Sequence, residues 1–126
     1  MDDRPALPPQ ALLLFDRDAG VCVVPSYAAA ANSLEAADVA AGEYEAYAPD
    51  GHVVRLAAPA GPYGPVTVTA TGESDPAGLT ARIARVWREA FPGETPPGAA
   101  ELTRRHLERE PRAPRRLFSF RFRRRP

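Results

Sequence analysis

The sequence predicts a small α+β domain: an antiparallel sheet of about five strands, formed by two hairpins and one further strand, with one or two helices packed on one face. Three observations support this class. Two pairs of short apolar segments flank turn-forming residues, a later segment alternates valine with threonine, and one segment repeats large apolar residues every three or four positions. At 126 residues, the chain has the length of one domain.

The first hairpin follows a proline-rich lead. Residues 1–10 contain three prolines, which have no backbone N–H to donate, and we expect this lead to be disordered. Two continuous apolar segments, Leu12–Phe15 and Val21–Val24, then flank DRDAG, whose aspartates and glycine tolerate tight turns. Strands that are apolar at every position are typical of burial on both faces. The folded domain is therefore expected to span residues 11–110.

An alanine-rich segment and a second hairpin come next. Ser26 is placed to cap a helix in YAAAANSLEAADV. In GEYEAYAPDGHVVRL, the alternation over Glu43–Ala48 predicts a strand, PDG supplies turn chemistry, and His52–Leu56 supplies the partner strand. The segment Val66–Thr71 alternates small apolar residues with threonine and predicts a half-exposed fifth strand.

Two helices complete the predicted domain. Asp75 suits the N-cap of the first helix and Pro76 its first helical position. Its apolar residues recur along one face and are Leu79, Ile83, Val86, Trp87, Ala90 and Phe91. This helix is predicted to provide the main apolar surface against the sheet. A second helix is predicted within residues 96–110, where only two large apolar residues occur, so we expect it to lie superficially.

The charge of the chain is divided along its length although the net charge is zero. Residues 1–110 carry 9 arginines and 16 acidic residues, a net charge of −7, whereas residues 111–126 carry 7 arginines and no acid, a net charge of +7. All 16 basic residues are arginine, which together with the abundant alanine, proline and glycine indicates a GC-rich genome such as an actinobacterial one. An acidic body favours association with a basic partner.

The residue types that mark catalytic or metal centres do not come together in the sequence. His52 and His106 have no companion at metal-ligand spacing, and the single cysteine, Cys22, lies in the apolar segment VCVV, as a buried structural thiol does. No serine occurs in a GxSxG context, and the prolines of AGPYGP remove donors that a phosphate-binding loop uses. Glu43 and Glu45 share one strand face without a nucleophile nearby. We therefore expect no enzymatic activity, no cofactor and no metal site.

The sequence predicts a cytoplasmic protein. No apolar stretch approaches the ~20 residues that a membrane-spanning helix needs. The first ten residues are acidic and proline-rich, whereas a secretory signal begins with a basic region. A single cysteine is compatible with a reducing compartment.

Two segments carry the predicted binding residues. The first is predicted to form an acidic face with aromatic contact area for a basic protein partner, and its residues are Glu35, Asp38, Glu43, Tyr44, Glu45 and Tyr47. The second is the tail of residues 111–126, in which phenylalanines alternate with serine and arginine. Its predicted contact residues are Arg115, Arg116, Phe118, Phe120, Arg121, Phe122 and Arg123.

Four roles for this tail remain open. Its arginines and phenyl rings suit nucleic-acid phosphates and bases, or an anionic membrane surface. An extended tail also suits strand addition to the sheet edge of a partner. Finally, the tail can cover an edge of its own domain, lie against the acidic body or stay disordered.

The arrangement of a hairpin, a short helix, DVAAGEYEAYAPDG and an amphipathic closing helix resembles small actinobacterial immunity-type proteins found beside polymorphic toxins. The resemblance covers residues 11–91 and involves Asp38, Val39, Gly42, Glu43, Tyr44, Tyr47, Asp50 and Gly51. It implies a protein that binds and neutralises a toxin domain without catalysis. The predicted function is therefore a non-enzymatic protein-binding module, with a nucleic-acid accessory protein and a phage or mobile-element assembly protein as alternatives.

Overall fold

A computed structural model of the chain describes residues 6–18 and 20–109. Within these residues, five strands form one antiparallel sheet that is flanked by four helices. The strands are β1 (Leu12–Asp16), β2 (Val21–Val24), β3 (Tyr44–Tyr47), β4 (His52–Ala57) and β5 (Thr67–Ser74), and the helices are α1 (Tyr27–Ser33), α2 (Ala36–Ala40), α3 (Pro76–Ala90) and α4 (Ala99–Arg109). The predicted α+β class with an antiparallel sheet is confirmed.

The strands lie in the order β2-β1-β3-β4-β5, so both predicted hairpins are present and β2 and β5 form the edges. Strand β1 is paired on both sides, with Leu14 opposite Cys22 of β2 and opposite Ala46 of β3. The β1–β2, β3–β4 and β4–β5 connections join neighbouring antiparallel strands, whereas the segment with α1 and α2 carries the chain from β2 past β1 to β3.

The helices lie on both faces of the sheet, whereas the sequence predicted them on one face. Helices α3 and α4 bury Leu13 and Phe15 of β1 together with alternate residues of β2. On the opposite face, Leu12 and Leu14 are packed with residues of α1 and with Leu34. All four β2 residues are buried, as their continuous apolar sequence requires. The domain therefore has three layers and two apolar clusters.

The alanine-rich segment forms two short helices with a break between them. Ser26 caps α1 as predicted, since its hydroxyl accepts a hydrogen bond from the N–H of Ala29 at 3.0 Å. The hydroxyl of Ser33 donates to the carbonyl of Ala29 at 2.8 Å in the last turn of α1. Leu34 is then extended (φ −95°, ψ 144°), and its side chain packs into the second apolar cluster. The break at Leu34 accompanies a tertiary contact, which helix propensity alone does not predict.

Helix α3 follows the prediction closely, and α4 is buried more deeply than predicted. The carboxylate of Asp75 accepts a hydrogen bond from Gly78 N–H at 3.1 Å, which caps α3. In α4, Leu102 and Thr103 are almost fully buried. The Thr103 hydroxyl donates to the carbonyl of Ala99 at 2.8 Å, so its burial leaves no unpaired hydroxyl donor. Helix α4 therefore contributes four buried residues, Leu102, Thr103, His106 and Leu107.

Candidate functional site

The β1–β2 turn and the α2–β3 turn meet at one end of the sheet. Asp16, the last residue of β1, lies opposite Tyr44, the first residue of β3. The Arg17 guanidinium joins the two turns, because its Nη2 donates to the carbonyls of Ala41 and Gly42 at 3.1 and 3.2 Å. The chain separation of these residues made the contact invisible to local sequence patterns.

Carboxylates from both turns are thereby brought to this end, and they have different roles. Asp16 accepts hydrogen bonds from the N–H groups of Asp18 and Gly20 at 2.9 and 2.7 Å, so its carboxylate closes the turn. Asp18 is exposed beside it. The sequence predicts both aspartates as turn residues, and Asp16 has this role.

The C-terminal end of α2 groups three of the predicted acidic residues. Gly42 adopts a left-handed conformation with φ +74°. Its N–H donates to Val39 at 3.0 Å, and the N–H of Glu43 donates to the Asp38 carbonyl at 3.1 Å, the pair of bonds that defines a Schellman motif. The motif brings Glu43 back beside Asp38, and Glu35 lies one turn earlier at the N-cap of α2. The α2 helix packs against β4.

The hydrogen-bonded ladder between β3 and β4 is short and opens towards this same end. Only Ala46 with Val54 and Tyr47 with Val53 are paired, although both strands continue. Beyond Ala46 no further ladder pair is formed, and residues of both strands line a cleft of about 180 Å³. Its lining residues are Tyr44, Glu45, Ala46, Tyr47, Val53, Val54 and Leu56. The structure thus brings Tyr44, Glu45 and Tyr47 of the predicted site to one cleft.

Glu45 and Tyr47 bind an arginine of the same chain. The Nε and Nη2 atoms of Arg82 in α3 donate to the two carboxylate oxygens of Glu45 at 2.6 and 3.0 Å. The guanidinium carbon also lies 5.2 Å from the centre of the Tyr47 ring. This is a bidentate ion pair combined with a cation–π contact. The charge of Glu45 is therefore paired within the domain, and its predicted contact with a basic partner stays a prediction.

Tyr47 is a core residue, which corrects its predicted role as exposed contact area. Only 4% of its surface is accessible, and its ring packs edge-on against Phe15 with 6.1 Å between ring centres. Its hydroxyl donates to the Asp75 carboxylate at 3.4 Å. Burial raises the pKa of the Tyr47 phenol, which keeps this donor protonated at neutral pH.

The Arg82 hydrogen bonds lower the pKa of the Glu45 carboxyl below its ordinary value of 4.5. Because the folded-state pKa is lowered, this pair stabilises the domain above about pH 4.5, and the contribution is lost as the pH falls through the folded-state value. Between pH 5 and pH 3, Glu45→Gln should therefore lose less stability than the wild type loses. The difference between the two losses should be less than about 1 kcal/mol, because the carboxylate is largely exposed. Urea unfolding at each pH measures the difference.

Glu94→Gln provides the matched control for that measurement. Glu94 is an exposed carboxylate in the loop after α3, and its removal changes the net charge by the same amount. Equal pH dependence in Glu45→Gln and the wild type would show that the Arg82 pair does not stabilise the fold.

The remaining predicted acidic-face residues keep surface access. Glu35 is exposed, and Asp38, Glu43 and Tyr44 are half-buried. Glu35 is the N-cap of α2, Asp38 lies within α2, and Glu43 precedes β3. Of these four residues, Tyr44 lines the cleft. The predicted tail residues, Arg115, Arg116, Phe118, Phe120, Arg121, Phe122 and Arg123, lie outside the described part of the chain.

A fully exposed tyrosine stands at the same end of the sheet and was missed by sequence reasoning. Tyr63 is 98% exposed in the loop that joins β4 to β5. Two successive turns shape this loop, with Gly61 N–H donating to Ala58 and Gly64 N–H donating to Gly61 at 3.0 and 3.2 Å. Three prolines restrict its backbone. The available signal was the pattern of three prolines around one aromatic residue, but the prolines of AGPYGP were used only to argue against a phosphate-binding loop.

No family model, curated protein or solved structure matches this chain. Within residues 6–18 and 20–109, no group of three or more histidine, cysteine or acidic side chains is placed to hold a metal ion. The helices of this part of the chain are too short or too polar to cross a membrane.

Proposed function

We propose that the chain is a non-enzymatic protein-binding module whose cleft between β3 and β4 receives a basic side chain of a protein partner. The observation that carries the proposal is the early end of the β3–β4 ladder, which opens a cleft beside the acidic helix α2. Of the residues predicted for the acidic face and its aromatic contact area, the proposal keeps four as partner contacts. They are Glu35, Asp38, Glu43 and Tyr44.

The size of the cleft suits one amino-acid side chain. Pockets for drug-sized ligands and cofactors have volumes of roughly 300 Å³ or more, and the cleft has about 180 Å³. Its lining combines the apolar residues Val54 and Leu56 with the polar residues Tyr44 and Glu45. A long side chain with an apolar stem and a polar end uses both kinds of surface.

The charges around the cleft favour a cationic side chain. Helix α2, its N-cap and the following turn carry three acidic residues, and α2 packs against β4, one of the two strands that line the cleft. Arg17 contributes one positive charge to that turn. Strand β3 already binds one guanidinium, that of Arg82, through the Glu45 carboxylate and the Tyr47 ring.

An immunity-type role is one form of this proposal. The partner is then a toxin domain with a basic active surface, and binding at the acidic side of the cleft blocks that surface. We place this interaction in the cytoplasm, where the single buried Cys22 stays reduced.

The peptide acetyl-Gly-Arg-Gly-amide is a suitable probe for the proposed site. Wild-type protein should bind it weakly, and the Glu35→Gln, Asp38→Asn, Glu43→Gln triple variant should bind it about tenfold less tightly, because each exposed ion pair contributes roughly 0.2–1 kcal/mol. Chemical-shift titration by NMR measures both affinities and reports whether the variant is folded. Glu94→Gln should bind as the wild type does, and a folded triple variant with undiminished affinity would contradict the proposal.

A further inference from the structure

We propose that two copies of this chain pair through the edge strand β5 to form one continuous sheet. This inference is independent of the cleft, since it concerns the opposite side of the β4–β5 hairpin. Strand β5 ends the sheet, so within the described residues no strand pairs with its outer side. Six of its eight residues are exposed.

The first half of β5 lacks the charges and prolines that usually keep sheet edges apart. Thr67–Ser74 contains no lysine, arginine or proline, and its only charge, Glu73, lies near its C-terminal end. Threonine, valine and alanine fill the first four positions, and threonine and valine favour extended structure. Unpaired backbone donors and acceptors along such an edge are a template for a further strand.

Two hydrogen bonds between β5 and β4 identify which backbone groups of β5 point outward. The carbonyls of Val53 and Ala57 in β4 face β5, because they accept bonds from the hydroxyls of Thr71 and Thr67 at 2.6 and 3.4 Å. Residues on a strand alternate in the side to which their backbone groups point. Arg55 therefore also faces β5, and its opposite residue, Thr69, faces inward.

The backbone N–H and C=O groups of Val68 and Ala70 consequently point away from the sheet. In an antiparallel pair of two copies, Val68 of one copy bonds with Ala70 of the other, and reciprocally. The two Thr69 residues then lie opposite each other on the two-fold axis, as an isologous contact requires. Cross-strand threonine pairs are stabilising.

Two features define the extent of this contact. The register between β4 and β5 shifts between Val54 and His52, so β5 bulges around Gly72. The hydroxyl of Thr71 accepts the Glu73 N–H at 3.1 Å within that bulge. The regular edge is therefore limited to Thr67–Ala70.

The positive charge of Arg55 in β4 does not oppose the pairing. The two Arg55 side chains would lie three strand spacings apart, about 14 Å, which is beyond the Debye length at physiological salt.

Sedimentation velocity over a hundredfold range of protein concentration tests the pairing. We expect the wild type to pass from 13.6 kDa monomers to dimers of twice that mass as concentration rises. Ala70→Pro removes an outward donor and leaves the β4–β5 ladder intact, so it should remain monomeric and folded. Thr69→Lys should also remain monomeric, because it places the two lysines of the dimer opposite each other. Thr67→Lys should still dimerise, because residue 67 of one copy does not lie opposite residue 67 of the other.

Amide hydrogen exchange adds a readout at the contact itself. The Val68 and Ala70 amides should be protected only at concentrations where dimers form, while the Thr69 amide should be protected at all concentrations. A wild type that stays monomeric throughout, or an Ala70→Pro variant that dimerises normally, would overturn the inference. Concentration-independent protection of Val68 and Ala70 would also overturn it, since the edge would then be covered by another segment of the same chain.

Discussion

Replacing Leu13 by alanine is expected to lower the free energy of unfolding by about 2–5 kcal/mol, and replacing Leu14 by alanine is expected to lower it by a similar amount. The two side chains are adjacent in β1 and point to opposite faces of the sheet. Leu13 is fully buried under α3 and α4, and Leu14 is buried with α1 on the other face. Each substitution leaves a cavity in a different apolar cluster.

Urea unfolding followed by circular dichroism measures both losses. Leu56→Ala serves as the control, because Leu56 is only half-buried and should lose less stability than either core leucine. A large loss for one core leucine and a loss below about 1 kcal/mol for the other would contradict the three-layer arrangement. It would mean that helices cover only one face of the sheet.

Replacing Gly51 by alanine is expected to cost about 2–4 kcal/mol, through backbone strain and a steric clash. Gly51 has φ +99° in the β3–β4 turn, where its N–H donates to Ala48 at 3.0 Å and its carbonyl accepts the Asp75 N–H at 2.8 Å. A Cβ at this position would lie 2.7 Å from the Cα of Pro76. The clash is with backbone at the start of α3, so a side-chain rotation does not relieve it.

Gly61→Ala separates the two contributions to that loss. Gly61 has a similar φ of +93°, but a Cβ there meets nothing within 4 Å. Its replacement should therefore cost about 1 kcal/mol from strain alone. Thermal or urea unfolding of both variants gives the comparison, and equal losses would show that the turn does not press against α3.

The parts of the fold that were predictable from sequence have local causes. The DRDAG and PDG turns lie between short apolar segments, and the Asp75-Pro76 pair begins a strongly periodic helix, so each signal lies within the element that it defines. The face on which a helix packs is set by contacts between distant segments. The fully apolar β1 and β2 strands did indicate burial on both faces, but α1 has only small apolar residues and did not suggest a second layer.

The candidate site was predictable only in part for the same reason. The acidic character of residues 35–45 is visible in the sequence, and Gly42 followed by Glu43 is a recognisable helix end. Neutralisation of Glu45 is not visible, because Arg82 is 37 residues further along the chain. The alternation of β3 placed Glu45 and Tyr47 on one face without revealing that α3 covers this face. The opening of the β3–β4 ladder has no sequence signal that we can identify.

The most direct test of the proposed binding role compares two peptides that differ in one charge. Acetyl-Gly-Arg-Gly-amide and its citrulline counterpart have nearly the same shape, and only the first is cationic. We predict that the arginine peptide binds about fivefold more tightly and shifts the NMR signals of Tyr44, Ala46 and Leu56, because charge-assisted hydrogen bonds are stronger than neutral ones. Equal affinities for the two peptides, or shifts confined to residues away from the cleft, would contradict the proposal that this cleft recognises a basic side chain.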